Sequence, residues 1–352
     1  MKVLHVIGSL ARGGAERQLY LLCRETSGEI EHHVAVFQPG GCWEEKLRQI
    51  GIGVRCLEAP VAGPLAPWRL RREVVRQRPD LLHCWLPSAN ILGAFTAGSV
   101  PVVASVRNVD DWKPLAYRLI ERLAVPFWSA VISNSHAGAD LTRRSGVPAS
   151  RITVIPNGIE QRTFPPREAG QPPAVCTASR LVPQKRVDRI LAAARLLPGV
   201  RFRIAGDGPL RAMLEREAPP NVRFLGEIED ASGLLSTSDV FVLASEREGT
   251  SNALLEAMNA GCVPVVTDVG DNSRLVTDSV SGRIVPPDAA PREIAAAIVS
   301  SFASLDRMRR AAQQAASQYT VARMARRTVE VYRHARSLSG LHQFDRARRR
   351  AA

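Results

Sequence analysis

Two textures alternate along this chain. Short apolar runs rich in β-branched residues predict strands over Lys2–Ile7, His33–Phe37, Val54–Leu57, Leu81–His83, Val102–Ser105, Ala130–Ser133 and Ile152–Asn157. Between them, apolar residues at helical spacing predict helices such as Ala15–Thr26, Glu44–Ile50, Trp68–Arg78 and Ser135–Ser145. Strands interleaved with helices in this way predict a parallel sheet covered by helices. The turn-forming Pro156-Asn157-Gly158 closes the series.

Phe164–Pro173 (FPPREAGQPP) then breaks the rhythm with prolines and no periodicity, as an interdomain linker does. The alternation restarts with strands Ala174–Ala178, Arg201–Ala205, Val222–Leu225, Val240–Leu243 and Val263–Thr267 and helices Val187–Leu197, Leu210–Glu217 and Ser251–Ala260. A final helix, Val321–Leu338, has apolar positions suited to packing back on the first half. The expected organisation is α/β: a first Rossmann-like domain over 1–165, joined by the helix at about 321–338, and a second over 166–320. A chain of 352 residues exceeds what one core supports. Two such halves imply a cleft, and open parallel sheets bind ligands beyond the carboxyl ends of their strands.

Charge and cysteine content change this picture little. The net charge is +13, and apart from Lys2, Lys46, Lys113 and Lys185 all 47 basic residues are arginines. The surplus is spread over both halves rather than held in one arm. It lacks the aromatic stacking platform and module of a nucleic-acid binder, so no nucleic-acid partner is expected. A basic surface suits anionic lipid or a phosphorylated acceptor, or is simply solvated. Six scattered cysteines without metal-ligand spacing read as reduced thiols of a cytoplasmic protein. The opening MKVLHVIGSLARGGAER reads as a buried strand entering a Gly-rich turn, not as a signal peptide. The uncharged stretch from Ala89 to Val106 is broken by Gly93, Gly98, Ser99 and Pro101, so no transmembrane segment is expected.

Candidate chemistry lies after the strands. Gly13 and Gly14 sit between the first strand and a helix, where backbone N–H groups welcome phosphate, although the GxGxxG spacing of a dinucleotide site is missing. Arg180 and Lys185 flank the loop SRLVPQK between a strand and a helix. Two cations there can neutralise a diphosphate, or can be solvated loop charges. RIAGDGP places Gly206 and Gly208 in a turn that can wall a nucleotide. In EGTSNALLE, Thr250 or Ser251 can cap a helix whose first-turn N–H groups, including those near Asn252 and Ala253, face a ligand. Glu248 precedes that helix, and Glu256 lies inside it among Ala253, Leu254, Leu255, Ala257 and Met258. A carboxylate among such neighbours is costly unless paired or used.

These segments together resemble the retaining glycosyltransferases of the GT-B fold, family 4, from GSLARGGAER through SNSHAGADL, VIPNGIE, SRLVPQKRVDRIL and AGDGPLR to EGTSNALLEAMNAGCVPVV. The resemblance spans nearly the whole chain and implies two Rossmann-like domains facing each other across a cleft. It implies that Arg180 and Lys185 hold the diphosphate of a UDP- or GDP-sugar, that Glu256 meets the ribose hydroxyls, and that Glu248 meets the donor sugar. Thr250, Ser251, Asn252 and Ala253 would offer groups to sugar and phosphate, and Gly14 would approach the donor from the opposite domain. Two positions depart from the family. Arg107, in Ser105-Val106-Arg107-Asn108, stands where many relatives carry a sugar-contacting His, which leaves Arg107 and Asn108 to a sugar or an anionic acceptor. Asp271 replaces a common second glycine and narrows the room near the donor sugar.

The expected activity is transfer of a hexosyl or N-acetylhexosaminyl group to a glycan or lipid-linked acceptor. No DxD motif is present, so neither metal nor other cofactor is expected and charge on the departing diphosphate falls to protein groups. The resemblance implies retention through front-face attack. Competing readings are a nucleotide-sugar epimerase, which needs no acceptor, and a binding copy without turnover. The basic Trp68–Arg78 suggests peripheral contact with an anionic membrane at its inner face. Packing of its Leu70, Val74 and Val75 on the sheet is the plainer alternative.

Overall fold

A computed structural model describes residues 1–109, 113–165 and 171–351, with side chains up to 337. The chain divides into two compact units, Met1–Gly158 with Val321–Ala352, and Ile159–Thr320. The division falls between Gly158 and Ile159, ahead of the proline-rich segment, whose residues 166–170 lie outside the described residues. Both crossings occur together, since the Ile159 N–H donates to the Tyr319 carbonyl at 2.9 Å.

The first unit carries β1 (Lys2–Ile7), β2 (Glu31–Val36), β3 (Gly53–Cys56), β4 (Leu81–Trp85), β5 (Val102–Val106), β6 (Trp128–Ser133) and β7 (Ile152–Val154). They form one parallel sheet in the order β3-β2-β1-β4-β5-β6-β7. β7 stops short of the expected Asn157, because Pro156 has no N–H to extend the ladder. The helices are α1 (Gly14–Thr26), α2 (Cys42–Gln49), α3 (Ala66–Gln77), α4 (Pro87–Thr96), α5 (Leu115–Ala124) and α6 (His136–Arg144). Leu19 and Leu22 of α1 pack on one face of the sheet, and Leu70 and Val74 of α3 on the other. Both faces are therefore buried, as parallel sheets require.

The second unit carries β8 (Ala174–Ala178), β9 (Arg201–Ala205), β10 (Val222–Gly226), β11 (Val240–Leu243), β12 (Val263–Thr267) and β13 (Arg283–Val285), ordered β10-β9-β8-β11-β12-β13. In chain order this is the 3-2-1-4-5-6 arrangement of a Rossmann sheet. Its helices are α7 (Val187–Arg195), α8 (Arg211–Glu217), α9 (Ser232–Ser236), α10 (Asn252–Asn259), α11 (Asn272–Leu275), α12 (Pro291–Ala303) and α13 (Leu305–Ala316). A last helix, α14 (Val321–Ala351), returns to the first unit, where Met324, Ala325, Val329 and Tyr332 join the core beside α1. It runs past the expected Leu338.

Candidate functional site

In the second sheet β8 and β11 are neighbours, yet β8 leads on toward β9 and β11 toward β12. The connections diverge and leave a crevice at the carboxyl ends of these two strands, the usual ligand position in such sheets. Sequence places the candidate cations after β8 and the candidate carboxylates after β11, so the topology brings them to one place.

The segment after β8 is held by backbone alone. Ser179 N–H donates to the Ala205 carbonyl at 3.0 Å, and Leu181 N–H to the Asp207 carbonyl at 2.8 Å. Glycine is required opposite them. A Cβ on Gly206, at φ 132°, would lie 1.8 Å from the Ser179 carbonyl oxygen, and one on Gly208 2.4 Å from that of Leu181. These glycines thus let two backbones touch and fix the strand that presents Arg180. Leu181 is fully buried, whereas the Arg180 side chain is exposed and makes no hydrogen bond or ion pair among the described residues.

Lys185 ends a 3₁₀ turn, Pro183–Lys185, and its Nζ lies 2.5 Å from Glu248 Oε1. Three further bonds join the two loops. Gln184 donates to the Arg247 carbonyl at 2.7 Å, Glu246 N–H to the Gln184 carbonyl at 2.9 Å, and Arg186 to the Glu246 carboxylate at 2.9 Å. Glu248 is buried, and from the other side Gly270 makes room for it: a Cβ there would lie 2.0 Å from the Glu248 carbonyl oxygen. Asp271 is buried beside that glycine.

Ser251 is the N-cap of α10, its hydroxyl accepting from the Leu254 N–H at 3.3 Å. Thr250 is buried just before it. Glu256 stands differently from the expectation. Its neighbours Leu254, Leu255, Ala257 and Met258 are fully buried, but the helical period turns Glu256 away from them and leaves it half-buried. Apolar flanks in the sequence therefore do not signal a buried acid here. Arg162, bound to Asp230 at 2.6 Å, has its basicity raised mainly by that bond, with a smaller contribution from Glu256.

Two polar groups escaped the sequence reading. The hydroxyls of Ser179, just after β8, and Ser245, just after β11, are buried without a hydrogen-bond partner. Unsatisfied groups of this kind are uncommon in proteins, and these two flank the crevice. A serine following a strand carries no sequence signal by itself.

Gly14, Arg107 and Asn108 lie in the first unit. Gly14 opens α1 after β1. Arg107 follows β5, half-buried, with its guanidinium 4.3 Å from the centre of the Trp85 ring. It donates to Asn157 Oδ1 at 3.4 Å and Ser105 Oγ at 3.3 Å, and its Nε has no partner. Burial pulls its pKa down to about 10. Asn108 is half-buried beside it.

His5, Cys23 and His32 in the first unit have ligand atoms within 4.8 Å of one another. The lone pairs of the two histidines are already spent. The Trp85 indole N–H can only donate, to His5 Nδ1 at 3.2 Å, so His5 Nε2 carries hydrogen and donates to His32 Nδ1 at 2.9 Å. His32 Nε2 then donates to Thr26 Oγ1 at 2.8 Å, which donates to the Leu22 carbonyl at 2.8 Å. Burial lowers His32 to about 4, lowers His5 as well, and raises the Cys23 thiol. With the accepting nitrogen of each histidine already taken by a hydrogen bond, the cluster does not fit a metal.

Residues 12–162 match the family described as Glycosyltransferase Family 4, and residues 172–304 the one described as Glycosyl transferases group 1. The phosphatidyl-myo-inositol mannosyltransferase of Mycolicibacterium smegmatis is 28% identical over 81% of this chain and 80% of its own. The sulfoquinovosyl transferase SQD2 of Arabidopsis thaliana is 26% identical over 64% of this chain, which spans only half of that relative. The crystal structure of Anabaena Alr3699/HepE in complex with UDP superposes with a TM-score of 0.81 at 24% identity, over 94% of this chain and 99% of that one. The same Anabaena protein was also solved with UDP-glucose.

Proposed function

Because the chain belongs to the family 4 glycosyltransferases of the GT-B fold, we propose that it transfers a sugar, with retention of configuration, from a UDP- or GDP-linked donor to a glycan or lipid-linked acceptor. The product belongs to cell-surface polysaccharide or glycoconjugate synthesis. The observation that carries this reading is the pairing of Lys185 with Glu248 beside an unpaired Arg180 at the β8/β11 crevice.

In this reading the diphosphate lies over the carboxyl ends of β8 and β11. Arg180 brings an uncompensated planar guanidinium to it, and Lys185 offers two ammonium hydrogens beyond the one given to Glu248. The N-terminus of α10, with Thr250, Ser251, Asn252 and Ala253, faces the phosphates or sugar, and Glu256 takes the ribose hydroxyls. Glu248 holds Lys185 and meets the donor sugar as a positioning group. The anomeric carbon loses its bond to phosphate and gains one to the acceptor oxygen on the same face, and the acceptor's proton passes to the departing phosphate oxygen. Charge developing there is met by Arg180, Lys185 and the helix terminus, with no metal required. The first unit takes the acceptor, with Arg107 and Asn108 in contact with it or with the sugar.

A protein of this kind works in the cytoplasm, peripherally at the inner membrane face. No helix among the described residues is long and apolar enough to cross a membrane. The test is thermal unfolding with UDP, GDP, ADP and their sugar conjugates. A native-state ligand at about 100 times its Kd adds about 2.7 kcal/mol. One nucleotide raising the transition in wild type and failing to do so in Arg180→Ala supports the site. Equal shifts in both refute it. Donor turnover without acceptor would instead favour an epimerase.

A further inference from the structure

We propose that the outward faces of α5 and α3 dock the protein on anionic phospholipid, with α5 lying in the plane of the interface. This names the docking element within the peripheral reading above and rests on it.

α5 is built inside out. Leu115, Leu119, Ile120 and Leu123 are 73%, 54%, 46% and 66% exposed, whereas Glu121 and Ala124 are buried. At helical spacing the four apolar side chains share one face, an arc of roughly 140°. A helix stabilised only by the sheet would turn that face inward. Here the single acid of the helix turns inward instead, and Glu121 is neutralised by Lys113 at 2.6 Å. The charges left outside are Arg118 and Arg122, both exposed on the flank of the apolar arc.

The surface continues onto its neighbours. Phe127, just after α5, meets Phe95 of α4 edge-on at 5.6 Å, and both rings are about half exposed. α3 packs beside α4, with Arg71 donating to the Thr96 and Ala97 carbonyls at 3.2 and 3.3 Å. On α3, Leu70 and Val74 pack inward, but Val75 and Trp68 are exposed, and Arg72 lies 5.7 Å from the Trp68 ring centre. The one acid of α3, Glu73, is again buried, clasped by Arg76 at 2.5 Å and Arg55 at 3.1 Å.

The exposed side chains of the two helices are thus apolar or arginine, each helix having its carboxylate turned inward. One sign of charge around aliphatic and aromatic side chains complements a surface that is negative outside and hydrocarbon beneath. Arginine stems can lie along the acyl boundary while the guanidinium reaches phosphate. The basic stretch of α3 alone, which the sequence singled out, is the lesser part, since α5 carries more of the exposed apolar area.

Co-sedimentation with phosphatidylcholine vesicles, with and without phosphatidylglycerol, tests this at about 0.1 M salt. Wild type is expected on the phosphatidylglycerol vesicles roughly tenfold more than on the neutral ones. Leu119→Asp/Leu123→Asp lowers that partition roughly tenfold or more, and Arg118→Glu/Arg122→Glu abolishes the preference for phosphatidylglycerol. Each variant keeps the nucleotide-induced thermal shift of wild type, which shows it folded. Equal binding to both vesicle types, or a leucine variant that binds like wild type, overturns the proposal. So does a wild type that ignores vesicles and forms a dimer split by Leu119→Asp, because the face is then a contact between copies. Failure of the donor reading shows separately, as wild type that binds vesicles but no nucleotide.

Discussion

Replacing Lys185 by Met keeps the side chain's reach and removes its charge. Lys185 Nζ lies 2.5 Å from Glu248 Oε1, with 20% of the lysine and 8% of the glutamate side chain exposed. At that distance and an effective dielectric near 20 the attraction is about 6–7 kcal/mol, much of which offsets the desolvation of both charges. Removing one partner strands the other. The cost for a largely buried pair is about 3–5 kcal/mol, and solvent access to the lysine reduces it here to about 2–4 kcal/mol. Lys185→Met/Glu248→Gln removes the stranded charge and should return to within about 1 kcal/mol of wild type. A two-unit chain does not unfold in one step, so the transition to follow by calorimetry is the one that bound nucleotide raises in wild type. Lys185→Met lowers it by roughly 5–12 °C, and the double variant recovers most of the loss. A single variant that melts with wild type, or a double variant no better than the single, would falsify the pairing.

Arg180→Ala should leave melting unchanged, since Arg180 has no partner to lose among the described residues. It should lower kcat/KM for transfer at least about tenfold, or 1.4 kcal/mol; steady-state assays with unaltered activity would remove Arg180 from the site. Glu256→Ala should weaken binding of a ribonucleotide yet leave the 2′,3′-dideoxy analogue untouched, as measured by titration calorimetry, and an equal loss for both would deny the ribose role. Burial holds His32 near 4 and lowers His5 and His83 also. These groups stay neutral when folded but take protons when unfolded below about 6.5. The stability they permit is present above about pH 6.5 and lost as pH falls toward 4, by about 1.4 kcal/mol per pH unit for each such group. Melting of the first unit between pH 7 and 4 reads this, and His32→Gln should flatten the slope; an unchanged slope counts against it.

Most strands were legible because a parallel sheet buried on both faces demands continuous β-branched runs, as in Val240–Leu243 and Val263–Thr267. Arg283–Val285 was not, because its three residues carry too little pattern and its place comes from pairing with β12. α14 exceeded its expected end because an arginine-rich tail has good helix formers but no apolar period to mark it. In the site, spacing alone brought Arg180, Lys185 and Glu248 into view. It did not show that the lysine is already paired and the arginine free, a distinction made by the bonds that zip residues 184–186 to 246–248. Glu256 is half-buried rather than enclosed, because apolar neighbours along a chain need not be neighbours in space. The outward leucines of α5 were unreadable for the opposite reason, since an amphipathic pattern has no label for which face meets water.

The paired lysine and the free arginine divide the work on a diphosphate between them. A cation already held by a carboxylate loses little freedom when a ligand arrives, but it has less charge to give. A free guanidinium has its full charge, yet its own side chain must be ordered on binding. The backbone answers that cost. Gly206 and Gly208 let residues 179 and 181 press against the neighbouring turn, so the Cα of Arg180 is fixed and only its side chain remains to be ordered. Gly270 does the same for Glu248, and through it for Lys185. If this is right, an alanine at Gly206 should impair nucleotide binding as severely as loss of Arg180 itself. Its Cβ would push the Ser179 carbonyl aside and move the arginine with it. Gly28→Ala, which meets nothing within 4 Å, is the matched control. Nucleotide affinity that survived Gly206→Ala would mean that the loop adapts and that the arginine is not positioned by its backbone.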